Sequence, residues 1–367
     1  MLNSRAMAIT GAAFAGPNGV VPTPFLSGPW PAAEAGRALP SYNVGGLLPE
    51  RGIRYLSCAT RLFCTTAMHA IESGQGQAII QRSPERIGVY HGAESPHLED
   101  VFRFDLAAKY EGPESVSPML SPNTLPNAAA GELAIRLDLR GANVTITCGH
   151  NSGLQALDLA YLHLGVGEVD YAVLGSVEVS SIYHRALFER AHRNGAPARC
   201  PELGVVFCLE TAEQARRDGR AALALVVGSA SNGARRGASD EAALLASIQQ
   251  ALDDAGLAAA ELDAIVVGSD RSFTAAGFRP LFTASGREPP QVVSLVERCG
   301  RTENSIGLLG VSWVIAAYQA HARGEPWAEA EALGSGDSSS LRRVAVASLD
   351  RHGCTVAAIL ERPETTS

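Results

Sequence analysis

Residues 121–178, SPNTLPNAAAGELAIRLDLRGANVTITCGHNSGLQALDLAYLHLGVGEVDYAVLGSVE, hold in one run the local patterns from which the fold is read. Tyr171-Ala-Val-Leu-Gly-Ser176 is short, apolar and β-branched and ends in small residues, as a strand buried on both faces of an α/β sheet does. Before it, Ser152 to Leu164 is rich in Ala and Leu, and Gly165 is placed to close it as a helix. The same two patterns recur outward. Ala264-Ile-Val-Val-Gly-Ser269 and Val344-Ala-Val-Ala-Ser348 read as further buried strands, and Glu241 to Ala255, followed by Gly256, as a helix with a glycine cap. Cys148-Gly149-His150 leads into one Ala/Leu-rich helix, and Cys299-Gly300-Arg301 leads into another, Ile306 to His321, about 150 residues later. Two related halves are therefore expected, 1–215 and 216–367. The charged segment Glu210 to Arg220 separates the apolar strands Gly204 to Leu209 and Ala221 to Val227 and is the natural boundary. Gly16 to Gly46 and Glu325 to Ser340, rich in Gly, Pro, Ala and Ser, read as surface loops.

Composition bounds the function. The chain has 367 residues, 46% hydrophobic and 19% charged, with a mean hydropathy of +0.05, the balance of a well-buried globular protein. A net charge of −8, with Lys109 as the sole lysine, argues against nucleic-acid binding. No apolar run approaches the roughly 18 residues of a membrane span, and the first residues, MLNSRAMAITGAAFAG, lack a long apolar stretch before a cleavage site. A cytoplasmic location is expected. The seven cysteines (58, 64, 148, 200, 208, 299, 354) form no CxxC pair and stand near no histidine at ligand spacing, so free thiols, no metal and no cofactor are expected.

The quoted stretch resembles the nucleophile region of the β-ketoacyl synthases of the thiolase superfamily. In that family a Pro/Asn loop, an AGxLAIxLxLRG segment and a strand lead into TACxSGLQA. Gly88-Val-Tyr-His-Gly92, Ala251 to Asp263 and Ala347 to Gly353 fall in the family's order as well, so the resemblance spans about residues 50–362. It implies an α/β thiolase fold of two similar halves in a five-layered αβαβα arrangement. An active member needs a cysteine at the start of a buried helix, where the helix dipole favours its thiolate, and two histidines that assist decarboxylation of the extender. Alignment on Ser152-Gly153-Leu154-Gln155-Ala156 places His150 at the cysteine position. Gly268 and Arg301 fall at the two histidine positions, Val296 at the lysine and Arg351 at the gating phenylalanine.

That replacement resembles the chain-length factor of type II polyketide synthases, a subunit paired with an intact ketosynthase, although His150 stands where those factors usually have Gln. The length points to the shorter factors of highly reducing, polyene-forming systems. The resemblance implies a non-catalytic partner in a heterodimer with a ketosynthase, acting on acyl carrier protein substrates. Its dimer edge would be Asn143, Val144, Thr145, Ile146, Thr147 and Cys148. Ser95, Leu98 and Phe102, spaced 3 and 4 apart on one expected helical face, and Leu120 would line the acyl tunnel. Two other readings stand beside it: a stand-alone acyltransferase of the superfamily using His150 or Cys148, and a purely structural pseudoenzyme. Cys148 itself is expected to lie on the strand as a buried structural thiol. Ser176-Val-Glu178 is expected to be a feature of the fold.

Overall fold

The computed structural model describes residues 6–16, 19–21, 52–191, 202–233, 239–269, 271, 273–300, 302–325, 327 and 341–364. In chain order the first part carries β1 (Met7–Gly16), β2 (Gly19–Val21), α1 (Cys58–Ser73), α2 (Gln77–Arg82), β3 (Ile87–Gly92), α3 (Leu98–Tyr110), α4 (Ala128–Leu137), β4 (Asn143–Ile146), α5 (Ser152–Gly165), β5 (Tyr171–Glu178), α6 (Ile182–Ala191) and β6 (Leu203–Thr211). The second part carries α7 (Ala212–Arg217), β7 (Ala224–Asn232), α8 (Asp240–Ala255), β8 (Ala264–Gly268), α9 (Ala275–Phe282), β9 (Gln291–Ser294), α10 (Leu295–Cys299), α11 (Ile306–Ala322), β10 (Arg343–Leu349) and β11 (Thr355–Glu361).

The strands hydrogen-bond in the order β4-β3-β5-β6-β1-β7-β11-β10-β8-β9, with β2 paired to β1. Read from either end the winding is the same. β3 runs parallel to both β4 and β5, and β6 is antiparallel to β5 and β1. Likewise β8 runs parallel to β9 and β10, and β11 is antiparallel to β10 and β7. β1 and β7 join the two sets through a short antiparallel pairing.

Three apolar clusters make this a five-layered αβαβα body. The inner cluster takes one face of both strand sets together with α5 and α11. The outer face of the first set is covered by α1 and α4, that of the second by α8 and α9. α11 is apolar on every side and almost wholly buried, which suits a helix held between two sheets.

β5, β8 and β10 confirm the three strands read from the sequence, and all of β5 and β8 is buried. α8 is capped by the Ser239 hydroxyl, which accepts from the Ala242 N–H, and ends on Gly256 with φ 67°. α5 differs at its end: Gly165 is still helical, and the chain turns away at Gly167, φ 72°, where the Glu168 N–H returns to the His163 carbonyl.

Within the segment Glu210 to Arg220 not every charge is at the surface. Glu210 lies inside on β6, completely buried, and Arg220 folds back onto it.

Where β3 ends, backbone meets backbone. A Cβ on Gly92 would stand 2.4 Å from the Gly153 nitrogen, and one on Gly153 2.6 Å from the Asn304 carbonyl oxygen. This contact sets the start of α5 against β3 and the approach to α11. Gly92→Ala is therefore expected to cost about 1–3 kcal/mol in urea unfolding, the range for overpacking, and an unchanged midpoint would refute so tight an approach.

Candidate functional site

The site region forms where α5 and α11 begin, between the ends of β3, β4, β5, β8 and β10. Each helix start leaves backbone N–H groups without partners inside the helix. At α11 both the Asn304 and Ser305 N–H groups donate to Glu178 Oε1 at 2.8 Å. Glu178 is buried, and burial, followed by the nearby Glu303, pushes its carboxyl up to about 7. Ser176 Oγ donates to Ser305 Oγ at 2.8 Å beside it.

At α5 a single 3-10 turn, Gly149–Asn151, precedes the helix, and it holds His150, half-buried. Gly149 takes φ 60°, and its N–H donates to Glu94 Oε2 at 2.8 Å. The Ser152 hydroxyl accepts from the Cys148 N–H and donates to the Gly149 carbonyl, both at 2.8 Å. Asn151 Nδ2 donates to the Cys354 carbonyl at 2.6 Å, which ties this turn to the Asp350–Gly353 turn after β10. Asn304 links the two helix starts: its carbonyl accepts from Gly153 N at 3.0 Å, and its amide Nδ2 reaches the Val177 carbonyl at 3.1 Å.

Cys148 corrects an expectation. β4 ends at Ile146, so neither Thr147 nor Cys148 is on the strand; Cys148 N is drawn into the turn by Ser152 instead of pairing in the ladder. The thiol is half-buried, not enclosed, and burial first, then the neighbouring Cys354, raises its pKa. A thiol held protonated is a weak nucleophile.

Gly268 ends β8, and a Cβ there would stand 2.9 Å from Ile306 Cγ1 of α11. Ile306 thus occupies the space a side chain at 268 would take. Arg301 lies outside the described residues. Val296 packs against the inner core, and Arg351 is exposed beside His352.

The four tunnel candidates do not come together in one place. Ser95 precedes α3, which starts at Leu98, so it does not share a helical face with Leu98 and Phe102. It is held in a loop instead, its carbonyl bonded to His184 Nε2 at 2.8 Å and its hydroxyl to Glu303. Phe102 stacks on Tyr183 of α6, with centroids 4.6 Å apart and the rings 3° from parallel, and Leu98 is half-buried. Leu120 is exposed and lines a cavity of about 360 Å³ against the other side of α3, with Glu99, Arg103 and Phe104, the start of α1 and Val116.

Asn143 to Ile146 form the terminal strand of the sheet, bonded to β3 on one side. Among the described residues no group of three His, Cys, Asp or Glu is placed to hold a metal ion, and no helix is long and apolar enough to cross a membrane. The Glu94, Glu178 and Asn304 network went unseen in the sequence, because its partners are separated by up to about 200 residues.

Residues 47–200 match the family model of the β-ketoacyl synthase N-terminal domain. The fold and this match are similar to those of a β-ketoacyl synthase domain of the thiolase superfamily over that part of the chain. The 3-oxoacyl-[acyl-carrier-protein] synthase 2 of Vibrio cholerae is 33% identical over 106 residues, which is 29% of this chain and 26% of that protein. A spectinabilin polyketide synthase system protein of Streptomyces orinoci is 31% identical over 280 residues, 65% of this chain but 8% of its own length. The chain thus spans only a small part of these relatives.

Among solved structures, the ishigamide ketosynthase/chain length factor superposes with a TM-score of 0.71 at 25% identity, covering 98% of this chain and 100% of that one. A ketosynthase of a type II polyketide synthase, in complex with its acyl-carrier protein and bound to the hexaketide, superposes with a TM-score of 0.76. At 16% identity over 98% and 99% of the two chains, it speaks for the fold alone.

Proposed function

We propose that this chain is a non-condensing, chain-length-factor-like partner of a ketosynthase, serving polyketide elongation on carrier-protein-bound chains. The observation that carries the reading is the start of α5. The residue in the turn before the helix is His150, and the nearest thiol, Cys148, sits outside the helix start with its pKa raised. Gly268, closed off by Ile306, supports it, because the position offers no imidazole to polarise a carbonyl. The likeness to the ishigamide ketosynthase/chain length factor supports the ketosynthase partner.

In this reading the partner pairs along the edge from Asn143 to Cys148, with β4 supplying its backbone. Leu98 and Phe102, one turn apart on α3, are this chain's contribution to the tunnel wall, and Leu120, which lines the cavity on the other side of α3, is left out of it. The competing stand-alone acyltransferase would need Cys148 or His150 as its nucleophile.

Incubation of the purified chain with acyl thioesters, followed by intact-mass and peptide analysis, is expected to show no adduct at Cys148 or His150. Co-expression with an intact ketosynthase should give a 1:1 complex burying well above roughly 2,000 Å², as obligate interfaces do. A stoichiometric acyl adduct on either residue would sink the non-condensing reading.

A further inference from the structure

His91 lies on β3 directly opposite Thr145 of β4 and is completely buried. Its ring packs on Phe63 of α1, centroids 4.4 Å apart. Neither ring nitrogen has a hydrogen-bond partner among the described residues, and the Thr145 hydroxyl and His97 Nδ1 beside it are equally without one. An imidazole in such a place is stable only while neutral.

The groups around it offer a proton little. From the turn into α4 the Pro126 carbonyl favours the proton, but less than burial opposes it and at a contact short of full hydrogen-bond geometry, and from the start of α3 His97 would repel a second cation. No carboxylate among the described residues acts on the ring. Glu94, which acts on His97, holds the Gly149 N–H, and Glu132 of α4 is paired with Arg136.

The strand in front of His91 is also a short edge of the sheet, since β4 has four residues and pairs with β3 alone among the described strands. We propose that His91 is an acid-sensitive release point for this edge: when its ring takes up a proton, β4 and the turn into α4 open while the rest of the sheet stays folded. The device belongs to this chain, whatever docks on the edge.

The direction follows from linkage. Burial holds the folded ring at about 3, against an ordinary 6.5 once it is released. The closed edge is therefore fully stable above about pH 6.5 and loses stability as pH falls from there toward 3, by up to about tenfold in the opening equilibrium per pH unit.

Hydrogen exchange on the full chain between pH 7 and 4.5, corrected for intrinsic rates, reads this directly. The amides of Val144 to Ile146 and of Ala93, whose N–H donates to the Ile146 carbonyl, should exchange about tenfold faster per unit below pH 6.5, while those of β10 change little. His91→Leu, and as a second non-titrating variant His91→Gln, should abolish the β4-specific rise, and His97→Gln should keep it. A rise that persists in both His91 variants overturns the proposal. So does an imidazole signal of His91 that titrates near 6.5 in the closed protein.

Discussion

Arg220→Leu is expected to lower the unfolding free energy by about 3–5 kcal/mol, the range for stripping one partner from a buried ion pair. Arg220 reaches Glu210 through Nε at 2.8 Å and again through Nη2, and Nη2 also meets Asp218 at 2.9 Å. Thr10 on β1 donates to the same Glu210 carboxylate at 2.9 Å. The group binds β1 to β6 and lies beside the crossing into β7, where the two strand sets join.

Removing the guanidinium leaves a carboxylate with no exposure to water, a lone buried charge that taking up a proton relieves. Arg220→Leu should therefore be less damaged near pH 4 than at pH 8. Urea unfolding at the two pH values checks this. The double variant Arg220→Leu with Glu210→Leu should regain most of the loss, because the cost lies in the orphaned charge and not in the missing pair. A loss under about 1 kcal/mol for the single variant would mean the pair is solvated as surface bridges are.

The same pair marks how far the sequence could be read. β5, β8 and β10 were legible because a strand buried on both faces is a continuous apolar run, and that property is local. α8 was legible to its last residue because Gly256 writes that end, whereas its start, expected at Glu241, lies at Asp240 behind the Ser239 cap. The charges of Glu210 to Arg220 read as a boundary between the two halves, and nothing local shows that Glu210 faces Thr10, 200 residues away. Ser95 failed for a related reason. The spacing of Ser95, Leu98 and Phe102 fits a helix, but Ser95 is captured by His184 and Glu303, so the helix starts after it. β4 ends two residues early because the Ser152 side chain competes for the Cys148 N–H. In each case a distant or side-chain partner overrode a local pattern.

His150→Cys is expected to give a chain that accepts an acyl group but still does not condense. The turn before α5 places residue 150 at the start of a buried 14-residue helix, where the dipole favours a thiolate. The new thiol should therefore react with an acyl thioester where Cys148 does not, adding one acyl group to the intact mass. Condensation asks for more. It needs groups that polarise the extender carbonyl and assist loss of carbon dioxide, each worth about 10²–10⁴ in rate, and at the end of β8 the position is Gly268 with Ile306 in the way. The single variant should thus stay at least about 10² below an intact ketosynthase in malonyl carrier-protein decarboxylation. Adding Gly268→His should not restore it, because the ring must displace Ile306 at the head of α11, at about 1–3 kcal/mol in stability. Relief by Ile306→Ala in the triple variant should recover the stability before any activity. Rapid decarboxylation by His150→Cys alone would show that this chain keeps a working site and that its resident histidine is the only thing silencing it.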